Sequence, residues 1–380
     1  MAKYKAGTHI EQIGYKSYLP SQVNGPFEWT DKRIDILLSD AMRYLGELNA
    51  YSKLVPDIDF FIQMYVAKEA TKSNQIEGTK TNLDEALLPK IEIKPEQRDD
   101  WSEVQNYIKA INFAIDQLSQ NDKPPFSIRL IKEAHKILLD NVRGYIKLPG
   151  EIRKSQNWIG GATLKDAVFI PPHHTVVADL LHDMEKFLHN KIVQVPDLIR
   201  TAIGHYQFET IHPFLDGNGR IGRLIITLHL VSLGILNKPT LYLSDYFEKN
   251  RAHYYDALSR VRESNDIEHW IRFFLTGVIQ TAKEARETLE KIIDLRVKYE
   301  QLILNGVGTK RQKLARELLN KLYSKPIVTI REIMALAPMT YPTAASITKD
   351  FERLKIFTEK TGRKKDRIFY LREYLDLFNN

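Results

Sequence analysis

From Asp31 onward the apolar residues fall at helical intervals, beginning with Ile34, Leu37, Leu38, Met42 and Leu45. The thirty residues before them are punctuated by Pro20, Gly25 and Pro26 and read as an irregular arm. A second helix is expected after Pro56, capped by Asp57. It runs through Phe60, Phe61, Met64 and Tyr65 and stops at Gly78, a residue suited to the left-handed position after a helix. Helical periodicity returns over 101–118 and 127–142. The pattern changes over 150–174. There Trp158 and Ile159 precede Gly160 and Gly161, and Val168, Phe169 and Ile170 run into Pro171 and Pro172, which predicts a β-hairpin. Helices are expected again over 176–189, 196–210, 218–233, 245–263 and 267–305. The remaining segment reads as helices over 311–323, 329–336 and 341–354, followed by short strands around Phe357 and Ile368. A basic tip over 362–367 (Gly-Arg-Lys-Lys-Asp-Arg) separates those strands. Three helices and then a hairpin is the order of a winged helix-turn-helix.

Composition changes this picture in three ways. With 380 residues, 43% of them hydrophobic and 27% charged, the chain has the balance of a globular protein of two or three domains. It has no cysteine, so disulfides and thiol catalysis are excluded and any metal must take oxygen or nitrogen ligands. No signal-peptide core opens the sequence and no run approaches the roughly 20 apolar residues of a membrane helix, so the expectation is a cytoplasmic protein without a membrane partner. Residues 301–380 carry 16 Lys and Arg against 8 Asp and Glu, whereas the preceding 300 carry 39 against 40. A basic excess confined to the C-terminal segment suggests a separate module with its own partner, the plainer reading being a lysine-rich solvated surface.

The chemistry concentrates in residues 212–223, His-Pro-Phe-Leu-Asp-Gly-Asn-Gly-Arg-Ile-Gly-Arg. Pro213 and Gly217 shape a turn after one helix, and Asn218 and Gly219 open the next. The unpaired N–H groups at such a start favour phosphate, and glycines let the backbone approach an anion. Arg220 and Arg223, three apart, share a helix face and suit a polyphosphate. Asp216 offers a hard oxygen ligand for Mg2+. His212 is the group able to take a proton near neutral pH. A Gly-rich loop with surface arginines would explain any one of these features, but not a base, a metal ligand, an anion cradle and two arginines within twelve residues.

This segment resembles the Fic motif, HxFx(D/E)GNGRxxR, at every defined position, and similarity to that family extends from about residue 57 to 282. The resemblance implies a mainly α fold. It comprises a Fic helical core with a β-hairpin flap and, from the order above, a C-terminal winged helix-turn-helix-like domain. The flap sequence from Asn157 to Pro172 would hold a target segment by strand addition. The family's activity would be transfer of AMP from ATP to Tyr, Thr or Ser hydroxyls of target proteins and of the enzyme itself, with Mg2+ as cofactor. His212 would be the general base and Asp216 the Mg2+ ligand. Gly217, Asn218, Gly219, Arg220, Gly222 and Arg223 would bind the nucleotide, with Arg223 on the γ-phosphate. Phe214 would anchor the loop. Tyr255 would sit near the adenine, although Tyr254 and Tyr255 equally suit a core.

A second pattern, Ser73-Asn74-Gln75-Ile76-Glu77-Gly78, resembles the family's inhibitory motif. Ser73 and Glu77 are four apart on one helical face. An anion in the last helical turn is disfavoured by the helix dipole and calls for a cation, and the resemblance suggests Arg223. Such a pair would withhold the arginine that ATP needs.

The expected organisation is therefore an N-terminal arm and helix (1–56), a Fic domain (57–300) and a winged-helix-like domain (301–380). Within the Fic domain lie the inhibitory helix (57–78), the flap (150–174) and the catalytic loop (212–223). Alternative activities are removal of AMP, transfer of another nucleotide or phosphate group, or DNA-binding regulation with the Fic domain as a sensor. A homodimer and DNA contact through the C-terminal module, with Thr343, Ser346 and Lys349 nearest the bases, are further possibilities. His173 and His174 read as surface residues at the end of the flap, and His205 and His229 as core histidines.

Overall fold

Where the sequence suggested an irregular arm, β1 (Gly7–Gln12) and β2 (Tyr15–Pro20) form an antiparallel hairpin. Its turn is Ile13-Gly14, with Gly14 at φ 84°, a conformation glycine adopts without steric cost. The computed structural model describes residues 4–119, 126–363 and 365–379. The fold is mainly helical. After the hairpin come α1 (Arg33–Leu54), α2 (Asp59–Ile76) and the short α3 (Leu83–Leu87). Asp57 is not the cap of α2: it sits at φ 56° and the cap position falls on Ile58. Next are α4 (Arg98–Ser119), α5 (Ile128–Leu138), capped by the Ser127 side chain, and α6 (Val177–His189).

The centre of the molecule is α7 (Asp197–Ile211) against α8 (Asn218–Ser232). Every residue of α7 from Leu198 to Ile211 is buried, as is α8 from Arg220 to Leu230. A helix wrapped on all sides cannot show a clean polar face, and its polar residues must find internal partners. Some do: the buried His205 contacts the Gly222 carbonyl and the Tyr254 hydroxyl, and His229 contacts Thr201 Oγ, whereas the Tyr206 and Thr210 hydroxyls and one oxygen each of Gln207 and Glu209 have no partner. The residues joining α7 to α8 carry the Fic-like motif, so a rigid helical pair presents it.

The helix expected over 245–263 is broken into α9 (Ser244–Lys249) and α10 (Arg251–Ser264). Asn250 lies between them and turns its side-chain amide onto the Tyr246 carbonyl, a local bond that competes with helix continuation. The 40-residue α11 (Ile267–Gly306) packs along α1 and leads into the C-terminal part.

That part comprises α12 (Thr309–Leu322), β3 (Ile327–Thr329), α13 (Ile330–Leu336), α14 (Tyr341–Arg353), β4 (Thr358–Glu359), β5 (Ile368–Tyr370) and α15 (Arg372–Asn379). The strands form one antiparallel sheet in the order β3-β5-β4. The sequence reading missed β3 and α15. Thr329 and Glu332 form a capping box that starts α13, so the three residues before it are freed to pair with β5. Among the tip residues 362–367, Lys364 lies outside the described residues. The C-terminal part packs directly on α2. Phe61 meets Tyr323 (4.8 Å between ring centroids) and Tyr374, and Tyr65 meets Phe378 at 5.3 Å. Arg372 pairs with Asp84 at 2.6 Å, and Arg363 with Glu92 at 2.8 Å.

The segment expected as a hairpin flap is mostly loop. A single antiparallel bridge joins Ile159 and Phe169, with N–H donors at 2.8 and 3.1 Å. Gly160 and Gly161 both have positive φ, and the Asp166 carboxylate accepts from the Ala162 and Thr163 N–H groups, each at 2.7 Å. The side chain thus takes donors that a strand ladder would have used, and Pro171 and Pro172 stop pairing just beyond the bridge. On its other edge the Ile170 carbonyl accepts from the Tyr18 N–H of β2 at 2.9 Å. Arg262 of α10 stacks on Phe169, 4.0 Å from the ring centroid.

Candidate active site

The loop between α7 and α8 is fixed by its own side chains. Asn218 is buried and both ends of its amide are bonded to Phe214: Oδ1 accepts from the N–H and Nδ2 donates to the carbonyl, each at 2.8 Å. Phe214 is buried and stacks on His135 at 3.8 Å between ring centroids, 8° from parallel. His135 accepts from the Gly150 N–H at Nδ1 (2.8 Å), so its Nε2–H donates to the Asp216 carbonyl (2.9 Å). Gly217 at φ 77° turns the chain into α8, and no side chain caps that helix start. The first N–H groups of α8 therefore face the site without a side-chain acceptor, the arrangement that binds anions.

His212 ends α7 in the left-handed region (φ 50°, ψ 60°). Its Nδ1 is buried without a hydrogen-bond partner. Burial, with the Arg153 charge behind it, pulls its pKa down to about 4, so the imidazole is neutral at physiological pH. Asp216 is 42% exposed at its side chain. It accepts from the Gly217 N–H at 2.6 Å and lies 3.5 Å from Arg220. Among the described residues no group of three or more His, Asp or Glu could hold a metal. A lone accessible carboxylate fits Mg2+, which keeps several waters and takes its other ligands from substrate phosphates.

The end of α2 closes over this loop. Glu77 is its C-cap, and its Oε1 accepts from Arg223 Nη2 at 2.6 Å. Ser73 holds the same guanidinium twice: Oγ accepts from Nε at 2.8 Å and the carbonyl accepts from Nη2 at 3.0 Å. Burial would raise the Glu77 pKa, but the Arg223 charge and hydrogen bond, with Arg220 behind, more than offset it and hold the carboxyl below its ordinary value. Arg223 is 3% exposed and Glu77 reaches it over Gly219, where a Cβ would collide with the carboxylate. Arg220 is buried and donates to Asn74 Oδ1 and Glu103 Oε2, both at 3.2 Å. Tyr107 ties α4 to α8 by donating to the Arg220 carbonyl at 2.7 Å.

The structure thus brings His212, Asp216, Gly217, Gly219, Arg220, Arg223, Ser73 and Glu77 to one place. Tyr255 joins their rim: it is 41% exposed, and burial and the Glu77 charge raise its pKa. Its neighbour Tyr254 is a core residue. Gly222 is different. A Cβ there would collide with Glu209 of α7, so this glycine makes room for a packed neighbour. Glu209 escaped the sequence reading. It is buried, one carboxylate oxygen has no partner, and burial pushes its pKa up to about 7 against the opposing charge of Arg223. Its position three before His212 on a helix, opposite the glycine that is the fifth residue of the next, was the available signal. Arg153, Asn157 and His135 were missed too, because their roles depend on contacts with backbone carbonyls far along the chain.

The Fic/DOC family N-terminal pattern matches residues 36–116 and the Fic/DOC family pattern residues 125–230. A protein adenylyltransferase Fic of Drosophila erecta is 27% identical over 241 residues, covering 62% of this chain and 43% of that protein. A probable protein adenylyltransferase of Aquifex aeolicus is 34% identical over 127 residues, 33% of this chain and 35% of its own length. The chain spans less than half the length of these curated relatives. A Fic family protein from Desulfovibrio desulfuricans G20 has the same fold with a TM-score of 0.58 at 19% identity, over 91% of this chain and 98% of its own. Fic-1 of C. elegans (aa134–508) gives 0.53 at 21% identity, over 68% and 73%. The loop, the helix above it and both patterns agree that this chain contains a Fic/DOC N-terminal region over 36–116 and a Fic/DOC domain over 125–230.

Proposed function

We propose that this chain is a protein adenylyltransferase that moves AMP from ATP onto Tyr, Thr or Ser hydroxyls of target proteins, and that Glu77 holds it in an inhibited state. The observation that carries the reading is the triple hold on Arg223, by Glu77 Oε1, Ser73 Oγ and the Ser73 carbonyl, directly above the uncapped start of α8. A buried arginine at a helix N-terminus is a polyphosphate ligand in waiting, and here its charge is already taken.

The steps assigned to the chain's own residues are these. The N–H groups of Asn218, Gly219 and Arg220 donate to the phosphate oxygens, and Arg223, once released, pairs with the γ-phosphate. Tyr255 borders the base. His212, neutral because its pKa is near 4, takes the proton of the target hydroxyl as the oxygen attacks the α-phosphorus. The new O–P bond forms as the bond from the α-phosphorus to the bridging oxygen breaks, and pyrophosphate leaves. Asp216 would hold Mg2+, which neutralises phosphate charge when bound. The target backbone would align on the flap segment around Ile159 and Phe169. Gly222 has a packing role in this scheme.

A second reading, removal of AMP, draws on one feature: the Glu77 carboxylate is 36% exposed within the His212 cluster and could align a water. For the C-terminal part we propose a module over 301–380 with the winged-helix order of elements, docked on α2 as a platform. Charge-paired Arg363 and Arg367, and Ser346 engaged by Arg311, favour docking over DNA reading. Incubation with α-labelled ATP and Mg2+, comparing wild type with Glu77→Gly, tests the proposal. Label retained on protein by the variant supports it, and no label on either protein or any added extract opposes it.

A further inference from the structure

Arg153 stands out among the buried charges because no carboxylate faces it. It is 2% exposed, and the acceptors of its guanidinium are backbone carbonyls. Nε donates to the His212 carbonyl at 3.0 Å, Nη1 to the Ser155 carbonyl at 3.1 Å, and Nη2 to the Ile211 carbonyl at 3.4 Å and to the Pro172 carbonyl. Its own N–H donates to the Pro213 carbonyl at 2.9 Å. Burying a cation without an anion is costly, and the fold offsets this locally. Ile211 is the last residue of α7 and His212 its C-cap, where the helix dipole presents partial negative charge to a cation. Even so, burial lowers the Arg153 pKa to about 10, leaving it cationic at neutrality.

The two regions that Arg153 joins, the end of α7 and the flap segment, are the ones that must be in register for transfer. His212 carries the base. It is a non-glycine residue in the left-handed region, a conformation that costs about 1 kcal/mol and persists only when neighbours impose it. Its carbonyl is gripped by Arg153 and, at 3.3 Å, by Asn157 Nδ2, which also donates to the Phe214 carbonyl at 2.8 Å. Pro172 lies in the flap segment, three residues beyond the bridge residue Phe169. One guanidinium therefore spans from the base to the flap. The nucleotide groups, the α8 N–H donors and Arg223, are not among its partners.

We infer that Arg153 is a positioning residue that sets His212 and the flap in fixed register by clamping the Ile211, His212 and Pro172 carbonyls, acting on the transfer step rather than on ATP binding. The inference rests on the adenylyl-transfer reading. A merely structural arginine would lower stability and leave the turnover of the folded fraction alone. A positioning arginine lowers kcat, leaves KM for ATP unchanged, and alters the titration of His212. The charged groups facing that imidazole are Arg153, Arg262 of α10 and Glu77 of α2. In a Glu77→Gly parent the carboxylate is gone, so the arginines are the charges left to test.

The test uses the full chain as Glu77→Gly and adds Arg153→Gln or Arg153→Lys. Incorporation of α-labelled AMP gives kcat and KM for ATP across pH, and the His212 imidazole is titrated by NMR, its signal assigned by its loss in His212→Ala. The inference expects kcat to fall on the order of 100-fold in Arg153→Gln, with KM for ATP within about two-fold. Because a positive charge is lost, the His212 titration moves to higher pH in Arg153→Gln. In Arg153→Lys the titration stays put and kcat falls less. Parental kcat and an unmoved titration in folded Arg153→Gln would overturn it, as would a loss confined to KM for ATP. If Arg153→Gln does not fold, Arg153→Lys decides, and parental kcat there overturns the inference. A parent without activity would refute the transfer reading instead, and the NMR titration, which needs no turnover, still decides whether Arg153 governs His212.

Discussion

Glu77→Gly is the perturbation whose size the structure lets one work out. The substitution removes one charge-assisted hydrogen bond, Glu77 Oε1 to Arg223 Nη2 at 2.6 Å, and leaves both Ser73 contacts in place. Such a bond is worth about 1.5–3 kcal/mol. The carboxylate is 36% exposed, so screening by solvent places it at the lower end, about 1.5–2 kcal/mol. At 1.36 kcal/mol per factor of ten, that is about 10- to 30-fold more enzyme with Arg223 available to the γ-phosphate. The backbone at 77 is ordinary (φ −82°, ψ −1°), so glycine fits without strain. Arg223, 3% exposed, would then be a buried cation without its ion-pair partner, and the apo variant should melt below wild type. ATP supplies the missing anion, so its stabilising effect should be larger in the variant. The assay is AMP incorporation from α-labelled ATP under saturating ATP, beside melting curves with and without nucleotide. An Arg223→Ala change in the same background should abolish the gain. If Glu77→Gly binds ATP and stays folded yet incorporates no more AMP than wild type, inhibition by this pair is wrong.

Other outcomes follow from the same geometry. His212→Ala in the Glu77→Gly background should cost about 10²–10⁴ in rate while ATP binding, measured by calorimetry, is retained; a rate equal to the parent would remove His212 from the mechanism. Asp216→Ala should lose most of the rate and its dependence on added Mg2+, and full activity of the parent in excess chelator would refute the ligand role. Four buried histidines have pKa values depressed from 6.5: His205 to about 3, and His135, His212 and His229 to about 4. The unfolded chain gains their protons near 6.5 and the folded protein does not, so stability is full above that and falls as pH drops toward 4. Glu209, raised from 4.5 to about 7, and Glu69, also raised by burial, act oppositely but are two groups against four. The melting temperature at pH 5 should therefore lie below that at pH 7.5, and an equal or higher value would contradict the burial argument. Duplex DNA titrated into the full chain should bind weakly and only at low salt, since Arg363 and Arg367 are already paired; tight binding at physiological salt would favour a DNA reader.

The loop over 212–223 was legible as a candidate site because its residues are close in sequence. His212, Asp216, Gly217, Asn218 and Arg223 fall within twelve residues, and the turn between two helices brings them together without long-range information. The Ser73–Glu77 pattern was legible for the same reason, being one helical face. What escaped were groups whose function is to hold backbone from a distance. Arg153 and His135 act on residues 59 and 81 positions away, and no periodicity marks such contacts. The flap reading went too far because Asp166 consumes two N–H groups that a hairpin ladder needed. The N-terminal hairpin was overlooked because its prolines and glycines were weighed as breakers, while Ile13-Gly14 is a turn and the segments on either side supply strands. Helix α9 separates from α10 through one asparagine amide, a choice that propensity does not make.

The most direct test of adenylyl transfer compares label position in a single experiment. The Glu77→Gly chain is incubated with Mg2+ and ATP labelled at the α- or the γ-phosphate, with and without His212→Ala, and protein-bound label and pyrophosphate are measured. The account predicts label on protein from the α position only, pyrophosphate released in equal amount, and loss of both in the His212→Ala variant. Label from the γ position, or α-label that persists without His212, would contradict it.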